Sequence, residues 1–306
     1  MKFSWFINYI SPTQQEIEQL RISWWVIRNT IINNSEIISQ SYLTWSYKRW
    51  TKISPIDDLD IIFNVNFGNT HIENYNSLTY IALNIWTYNN HQLKNFSVWN
   101  NDIWKYIVHP IKLINHIWKI ISNRYTSTQI QWRNWECFSV TLSTYNLNID
   151  CLPYAWVNNE DYKLIPYGWN NQSWKKTNPR LDEEKINKLN TEFDWKVKWV
   201  IKIIKFWNKK KNTTKKFKSY ILESLIYRAI RKNCYSRYSY TEILKEVVQY
   251  IYWNVEKYRN IKDICGYDFM HYSLDTYQIN NLKNKLEIFY SKNNIWEETL
   301  VDYLLN

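Results

Sequence analysis

Asp58 and Asp60 stand two residues apart in Asp58-Leu59-Asp60-Ile61-Ile62-Phe63. In an extended chain that spacing turns both carboxylates to the same side, about 7 Å apart at the backbone given a rise of roughly 3.3 Å per residue. Both can then converge on one or two divalent ions. Mg²⁺ takes one or two carboxylates and completes its octahedron with substrate phosphate oxygens. A pair of acids at this spacing is commonly a surface feature. Here, however, Leu59, Ile61, Phe63 and Val65 alternate on the opposite face, and acids on a core-like strand need a reason such as a metal. A third acid, Asp150, lies among apolar neighbours in Ile149-Asp150-Cys151-Leu152. Three acids on core-like strands suggest a two-metal phosphoryl-transfer site. Two Mg²⁺ ions are expected, with Mn²⁺ as a substitute.

Charge is the second chemical feature. The chain carries 39 Lys and Arg against 28 Asp and Glu, a net +11. Between Lys196 and Arg237 there are 14 Lys or Arg and one acid, Glu223, so the excess is concentrated there. That implies an anionic partner, either a phosphate group or nucleic acid. The lysines from Lys209 to Lys218 read as a solvated loop. Lys198, Lys202, Lys205 and Lys209, spaced 4, 3 and 4 apart, form one helical stripe opposite Val197, Val200, Ile201 and Ile204, and a stripe so placed can contact phosphates.

The elements that must position these groups follow from periodicity. Ser11-Pro12-Thr13-Gln14-Gln15-Glu16 reads as a capped helix start, with the helix running to about Ile32. Leu59 to Val65 reads as a strand. Phe138 to Thr144 and Leu147 to Leu152 read as a hairpin joined at Tyr145-Asn146, with Asn148, Asp150 and Leu152 on one face. From Glu183 onward, helical periods dominate over 183–190, 194–208, 219–232, 240–258 and 274–291. The pattern is a mixed first half and a helical second half, with a boundary in the stretch 160–180.

No run reaches the 18 or more apolar residues of a membrane span. The first eight residues are too short and too polar for a signal peptide. A cytoplasmic protein without membrane attachment is expected. Cys137, Cys151, Cys234 and Cys265 show no paired spacing, and His71, His91, His109, His116 and His271 show no ligand spacing. Zinc and disulfides are therefore not expected.

One ratio does not fit a folded domain of this size: 19 Trp against 3 Gly, where average usage would give about 7% Gly, or about 21 residues. Glycine supplies positive-φ turns and close backbone approaches. Two readings account for the ratio. In one, UGA specifies glycine in the source gene and is rendered as Trp. In the other, the protein is genuinely Trp-rich and Gly-poor, from an AT-rich genome, which the abundant Asn, Ile, Lys and Tyr also fit.

Upstream of the acids stands Thr44-Trp45-Ser46-Tyr47-Lys48-Arg49-Trp50-Thr51, with eleven residues between Ser46 and Asp58. With glycine in place of Trp45 and Trp50, the segment resembles the Gly-Ser signature of the DNA polymerase β-like nucleotidyltransferases. A triphosphate must approach the backbone N–H groups there, and a side chain would obstruct it. The early SPTQQEIEQL helix, the loop, the DxD strand, NIDCLPYAW, SWKKTNP, IIKFWNKK and KSYILESL occur in an order that resembles the bacterial CD-NTase family over roughly residues 10–230. That family is related to cyclic GMP-AMP synthase and oligoadenylate synthase. The departures are Trp45 and Trp50, whereas Trp174 and Trp207 stand where the family accepts Trp and are expected to be genuine.

The resemblance implies an α+β fold, with a polymerase β-like nucleotidyltransferase core of mixed sheet and flanking helices over 1–165 and a C-terminal helical domain over 166–306. It implies that Asp58 and Asp60 bind both Mg²⁺ ions, and that Asp150 completes the catalytic ion and helps deprotonate the attacking ribose hydroxyl. Ser46 would hold the β- and γ-phosphates, Lys205 and Ser219 would contact the triphosphate, and Tyr220 would stack on a base or else be a buried helical tyrosine. Thr51 is a weaker candidate. The substrates would be nucleoside triphosphates, and the product a cyclic di- or trinucleotide acting as a second messenger in anti-phage defence, sensed by a separate effector. Two alternatives remain open from the residues: a polymer-extending nucleotidyltransferase that uses the basic window as a nucleic-acid track, and a catalytically silent nucleotide-binding protein, should Trp45 and Trp50 be genuine.

Overall fold

The computed structural model describes residues 2–43, 49–56, 58–86, 88–125, 129–134, 137–142, 147–157, 160–167, 172–212, 217, 219–256, 262–266, 276–293 and 297–305. Trp45 and Ser46 lie outside the described residues, as does the turn joining the expected hairpin. The described elements are α1 (Lys2–Ile10), α2 (Gln14–Ile32), β1 (Ile38–Leu43), β2 (Asp58–Val65), β3 (Thr70–Tyr75), β4 (Leu78–Leu83), β5 (Ser97–Asn100), β6 (Lys105–Val108), α3 (Pro110–Arg124), β7 (Gln129–Asn134), β8 (Cys137–Leu142), β9 (Leu147–Trp156), β10 (Lys163–Pro166) and β11 (Trp174–Thr177). The helices α4 (Pro179–Glu192), α5 (Lys196–Lys210), α6 (Ser219–Asn233), α7 (Tyr240–Asn254), α8 (Thr276–Asn293) and α9 (Glu297–Leu305) follow.

The chain divides into two compact units, and neither is continuous in sequence. One comprises residues 14–44 and 56–178, the other 1–13, 45–55 and 179–306. This differs from contiguous halves at 1–165 and 166–306: α1 and the segment 45–55 go with the C-terminal helices. Patterning could not reveal this, because both short pieces are recruited by packing rather than by their own periodicity.

The sheet unit is built on eleven strands with the order β1-β2-β9-β10-β11-β4-β6-β5; β3 joins β4, and β8 joins β7 and β9. The pair β2 and β9 is parallel, while β8 and β9 run antiparallel. Leu59, Ile61, Phe63 and Val65 are all buried, as their alternation requires. Helices α2 and α3 pack on this region, α2 against β1 and α3 against β8 and β9, burying Leu20, Ile27 and Ile31 of the first and Leu113, Ile114, Ile117 and Ile121 of the second. The 7- and 4-residue spacings of these side chains are those of a helix with one apolar stripe.

The helical unit buries its own core. Phe3, Phe6, Ile7 and Ile10 of α1 join Val197, Val200, Ile201 and Ile204 of α5, Ile221, Leu222 and Leu225 of α6, and the apolar faces of α7, α8 and α9. α7 starts on a capping box, with the Glu242 amide bonded to Ser239 Oγ and the Ser239 amide to the Glu242 carboxylate. Among the described residues no helix is long and apolar enough to cross a membrane.

Candidate active site

The three acids singled out by pattern are carried by adjacent strands of the sheet unit. Asp60 of β2 is the direct register partner of Asp150 of β9, and Asp58 pairs with Asn148. Parallel neighbours lie about 4.8 Å apart and residues two apart share a face, so Asp58, Asp60 and Asp150 all stand on one side of the β2–β9 pair. Asp58 is exposed, and Asp60 and Asp150 are half-buried. Across the other edge of β9, Ser139 is the register partner of Asp150, and its Oγ donates to Asp150 Oδ1 at 2.5 Å. That hydroxyl fixes which way the third carboxylate turns. Periodicity had placed Ser139 on a strand but gave no sign of this role, because the signal lies in cross-strand register.

The donor set is chemically suited to a hard divalent cation, since all three candidates are carboxylates. Among the described residues no three His, Cys, Asp or Glu side chains are gathered tightly enough to hold a metal as they stand.

The remaining candidates belong to the helical unit. Ser219 and Tyr220 open α6, and both are exposed, so Tyr220 is not the buried helical tyrosine that the sequence also allowed. Lys205 differs from the expectation of an outward lysine stripe. It is only 6% exposed and pairs with Glu223, and its Nζ also donates to the Thr51 carbonyl at 3.2 Å and to Thr51 Oγ1 at 3.3 Å. Its stripe neighbours are similarly committed: Lys202 Nζ donates to Ser11 Oγ at 2.8 Å and Lys209 Nζ to the Pro55 carbonyl at 3.0 Å. Burial lowers the Lys202 and Lys205 ammonium groups from the usual lysine range; for Lys205 the Glu223 carboxylate opposes the effect. Lys205 and Lys209 thus hold the chain's own segment 49–55, and Lys202 ties to Ser11.

Glu223 is the centre of this arrangement. It sits in a wholly buried stretch of α6, Ile221 to Ile226, where a carboxylate persists only if paired. Arg49 pairs with Oε2, Lys205 pairs with Oε1, and Thr51 Oγ1 donates to Oε1 at 2.9 Å. Burial by itself would raise this carboxyl, but Arg49, Lys205 and the hydrogen bonds from Lys205 and Thr51 outweigh it and bring it down to about 2. The sequence offered one clue to Glu223: it is the lone acid in the most basic window of the chain. The Ser54 amide further ties the segment to the Ile10 carbonyl of α1 at 2.8 Å.

Two solved structures share this architecture. The STING-associated CdnE c-di-GMP synthase from Capnocytophaga granulosa superposes with a TM-score of 0.63 at 15% identity, covering 94% of this chain and 85% of that one. CdnC of E. coli MS115-1, solved with ATP, gives 0.64 at 12% identity, covering 98% and 94%. The chain therefore shares the fold of these two CD-NTase structures. In sequence it is 33% identical over 186 residues to a probable cyclic nucleotide synthase of Bacillus cereus (strain VD146). That alignment covers 59% of this chain and 53% of the relative, so the chain spans about half the length of the curated protein it matches. No protein-family profile matches the chain.

Proposed function

We propose that the chain joins nucleoside triphosphates into a cyclic di- or trinucleotide with release of pyrophosphate, using Mg²⁺ or Mn²⁺. The observation that carries this reading is the placement of Asp58, Asp60 and Asp150 on one side of the β2–β9 pair. The Bacillus relative and the Capnocytophaga enzyme, both named as cyclic nucleotide synthases, support the product class. Asp58 and Asp60 would hold two divalent ions and Asp150 would complete the catalytic one. When bound, the ions stabilise charge on the entering and leaving oxygens of an in-line displacement.

The chain's own groups divide the remaining work. Asp150, oriented by Ser139, accepts the proton of the attacking ribose hydroxyl. That oxygen forms its bond to the α-phosphorus as the bond to the bridging oxygen breaks, and pyrophosphate leaves. Ser46 would hold the β- and γ-phosphates, Ser219 would contact the triphosphate, and the exposed Tyr220 would offer a ring for base stacking. Lys205 serves the triphosphate through segment 49–55 rather than by direct reach. The inward commitment of Lys202, Lys205 and Lys209 weighs against a nucleic-acid track along this stripe.

The test is incubation with four labelled nucleoside triphosphates and Mg²⁺, followed by chromatography. A small product resistant to phosphatase supports the reading. Tight, salt-dependent binding of single-stranded RNA with no small product would replace it with polymer extension.

A further inference from the structure

Arg49 and Thr51 reach the same buried carboxylate from either side of Trp50, and both are essentially buried, at 2% and 0% exposure. The backbone turns at residues 49 and 50. Trp50 carries φ of +59° and is 66% exposed. Left-handed backbone is the conformation that only glycine adopts without a Cβ penalty, and a large apolar ring gains nothing from standing in water.

We propose that Glu223 is a positioning residue that clamps the loop through Arg49 and Thr51, that residue 50 is the left-handed hinge of that clamp, and that positions 50, 104 and 195 are glycine in the cell that owns this gene. The effect of the clamp on catalysis rests on the nucleotidyltransferase reading; the glycine assignment does not.

The three positions share one signature. Among the described residues six non-glycine residues have positive φ, and three of them are Trp50, Trp104 and Trp195, at +59°, +53° and +66°. Each is more than 60% exposed. Each sits where chain geometry favours glycine. Trp104 is the last residue before β6 in the β5–β6 hairpin, the left-handed site of longer hairpin loops. Trp195 follows α4 in the pair Asp194-Trp195, with its amide bonded to the Asn190 carbonyl at 2.8 Å, the place of helix-terminating glycine. Trp174 and Trp207 behave oppositely. They are 2% and 0% exposed with negative φ; Trp174 Nε1 donates to the Val108 carbonyl at 3.2 Å and Trp207 packs on Phe289. These five tryptophans thus fall into two physical groups, two with the environment of tryptophan and three with the geometry of glycine.

The coding test is direct. UGA at 50, 104 and 195 with UGG at 174 and 207, and glycine at the first three positions in peptides of the protein isolated from its native cell, is the expected result; UGG at all five overturns the assignment. The clamp is tested on the purified 306-residue chain by comparing it with Trp50→Gly, Trp50→Ala and Glu223→Gln. Trp50→Gly is expected to raise the melting temperature and Trp50→Ala to do so less, because alanine keeps the Cβ. Equal melting of the two overturns the hinge. Glu223→Gln is expected to raise KM for the nucleoside triphosphate about tenfold, the scale of one charge-assisted bond, with kcat less affected. KM and kcat both at the parent values overturn the clamp. A Trp45→Gly/Trp50→Gly variant that binds no nucleoside triphosphate overturns the nucleotidyltransferase reading instead, and the melting order at position 50 still decides the hinge.

Discussion

Asp60 and Asp150, ninety residues apart in sequence, face each other as register partners across the parallel pair of β2 and β9. Ser139 holds the second of them from the neighbouring strand at 2.5 Å. Groups that orient a metal ligand typically account for 10–100-fold in metal affinity or activity. Ser139→Ala is therefore expected to raise the Mg²⁺ concentration needed for half-maximal pyrophosphate release by roughly tenfold. Asp150→Asn should abolish release at any Mg²⁺ concentration. A Mg²⁺ titration of the three proteins separates these outcomes.

Trp174 and Trp207 should be among the least replaceable aromatic residues in the chain. Truncating a buried Trp to Ala typically costs about 3–5 kcal/mol, and each of these two is enclosed by its unit's core. Trp104→Gly should act in the opposite direction and stabilise the fold by about 1 kcal/mol, the scale of a relieved left-handed Cβ clash. Urea midpoints of the three variants, compared at constant slope, give the signs.

Asp182 provides a pH signature. It is 9% exposed, and burial raises its carboxyl from 3.8 to about 6, although the Cys265 thiol, donating from Sγ to Oδ1 at 2.7 Å, and Arg49 pull it down. Between those values the folded chain binds more protons than the unfolded one, so stability falls as pH rises through that window and levels off above it, by roughly 3 kcal/mol in all. Asp182→Asn should flatten this part of the profile. Cys265→Ala removes a bond that favours the ionised form, and should shift the upper edge of the window to higher pH. Melting temperatures from pH 4 to 8 are the measurement.

Glu223 gives the opposite sign. Its carboxyl is held below its ordinary range, down to about 2, so its contribution is present above the unfolded value of 4.5 and is lost as pH falls toward 2. The stability gap between the parent and Glu223→Gln should be widest at neutral pH and narrow below pH 4.5. Removing the acid leaves two buried cations without their counter-charge, and breaking a buried pair in this way costs about 3–5 kcal/mol.

The sequence was most informative where burial enforces a period. The alternation of Leu59, Ile61, Phe63 and Val65 placed β2, and with it the shared face of Asp58 and Asp60. The 3.6-residue periods located α4 to α8 to within a few residues. Helix α1 was missed because its apolar residues follow directly on the start of the chain without a cap signal. The path of Lys205 was also hidden: its spacing showed a stripe, but a stripe of lysines reads the same whether it faces solvent or a buried carboxylate eighteen residues away. The identity of Glu223 as that carboxylate depends on the packing of α5 against α6, which no local pattern encodes. The tryptophans show the reverse case. Composition raised the question of glycine, and backbone geometry at 50, 104 and 195 made it specific to positions.

The most direct test of the central claim is pyrophosphate release from the Trp45→Gly/Trp50→Gly double variant supplied with four nucleoside triphosphates and Mg²⁺. Release with formation of a small cyclic product, faster than in the unaltered chain and abolished when Asp58→Ala is added, is the expected result. No release from the double variant, or release that survives Asp58→Ala, would contradict it.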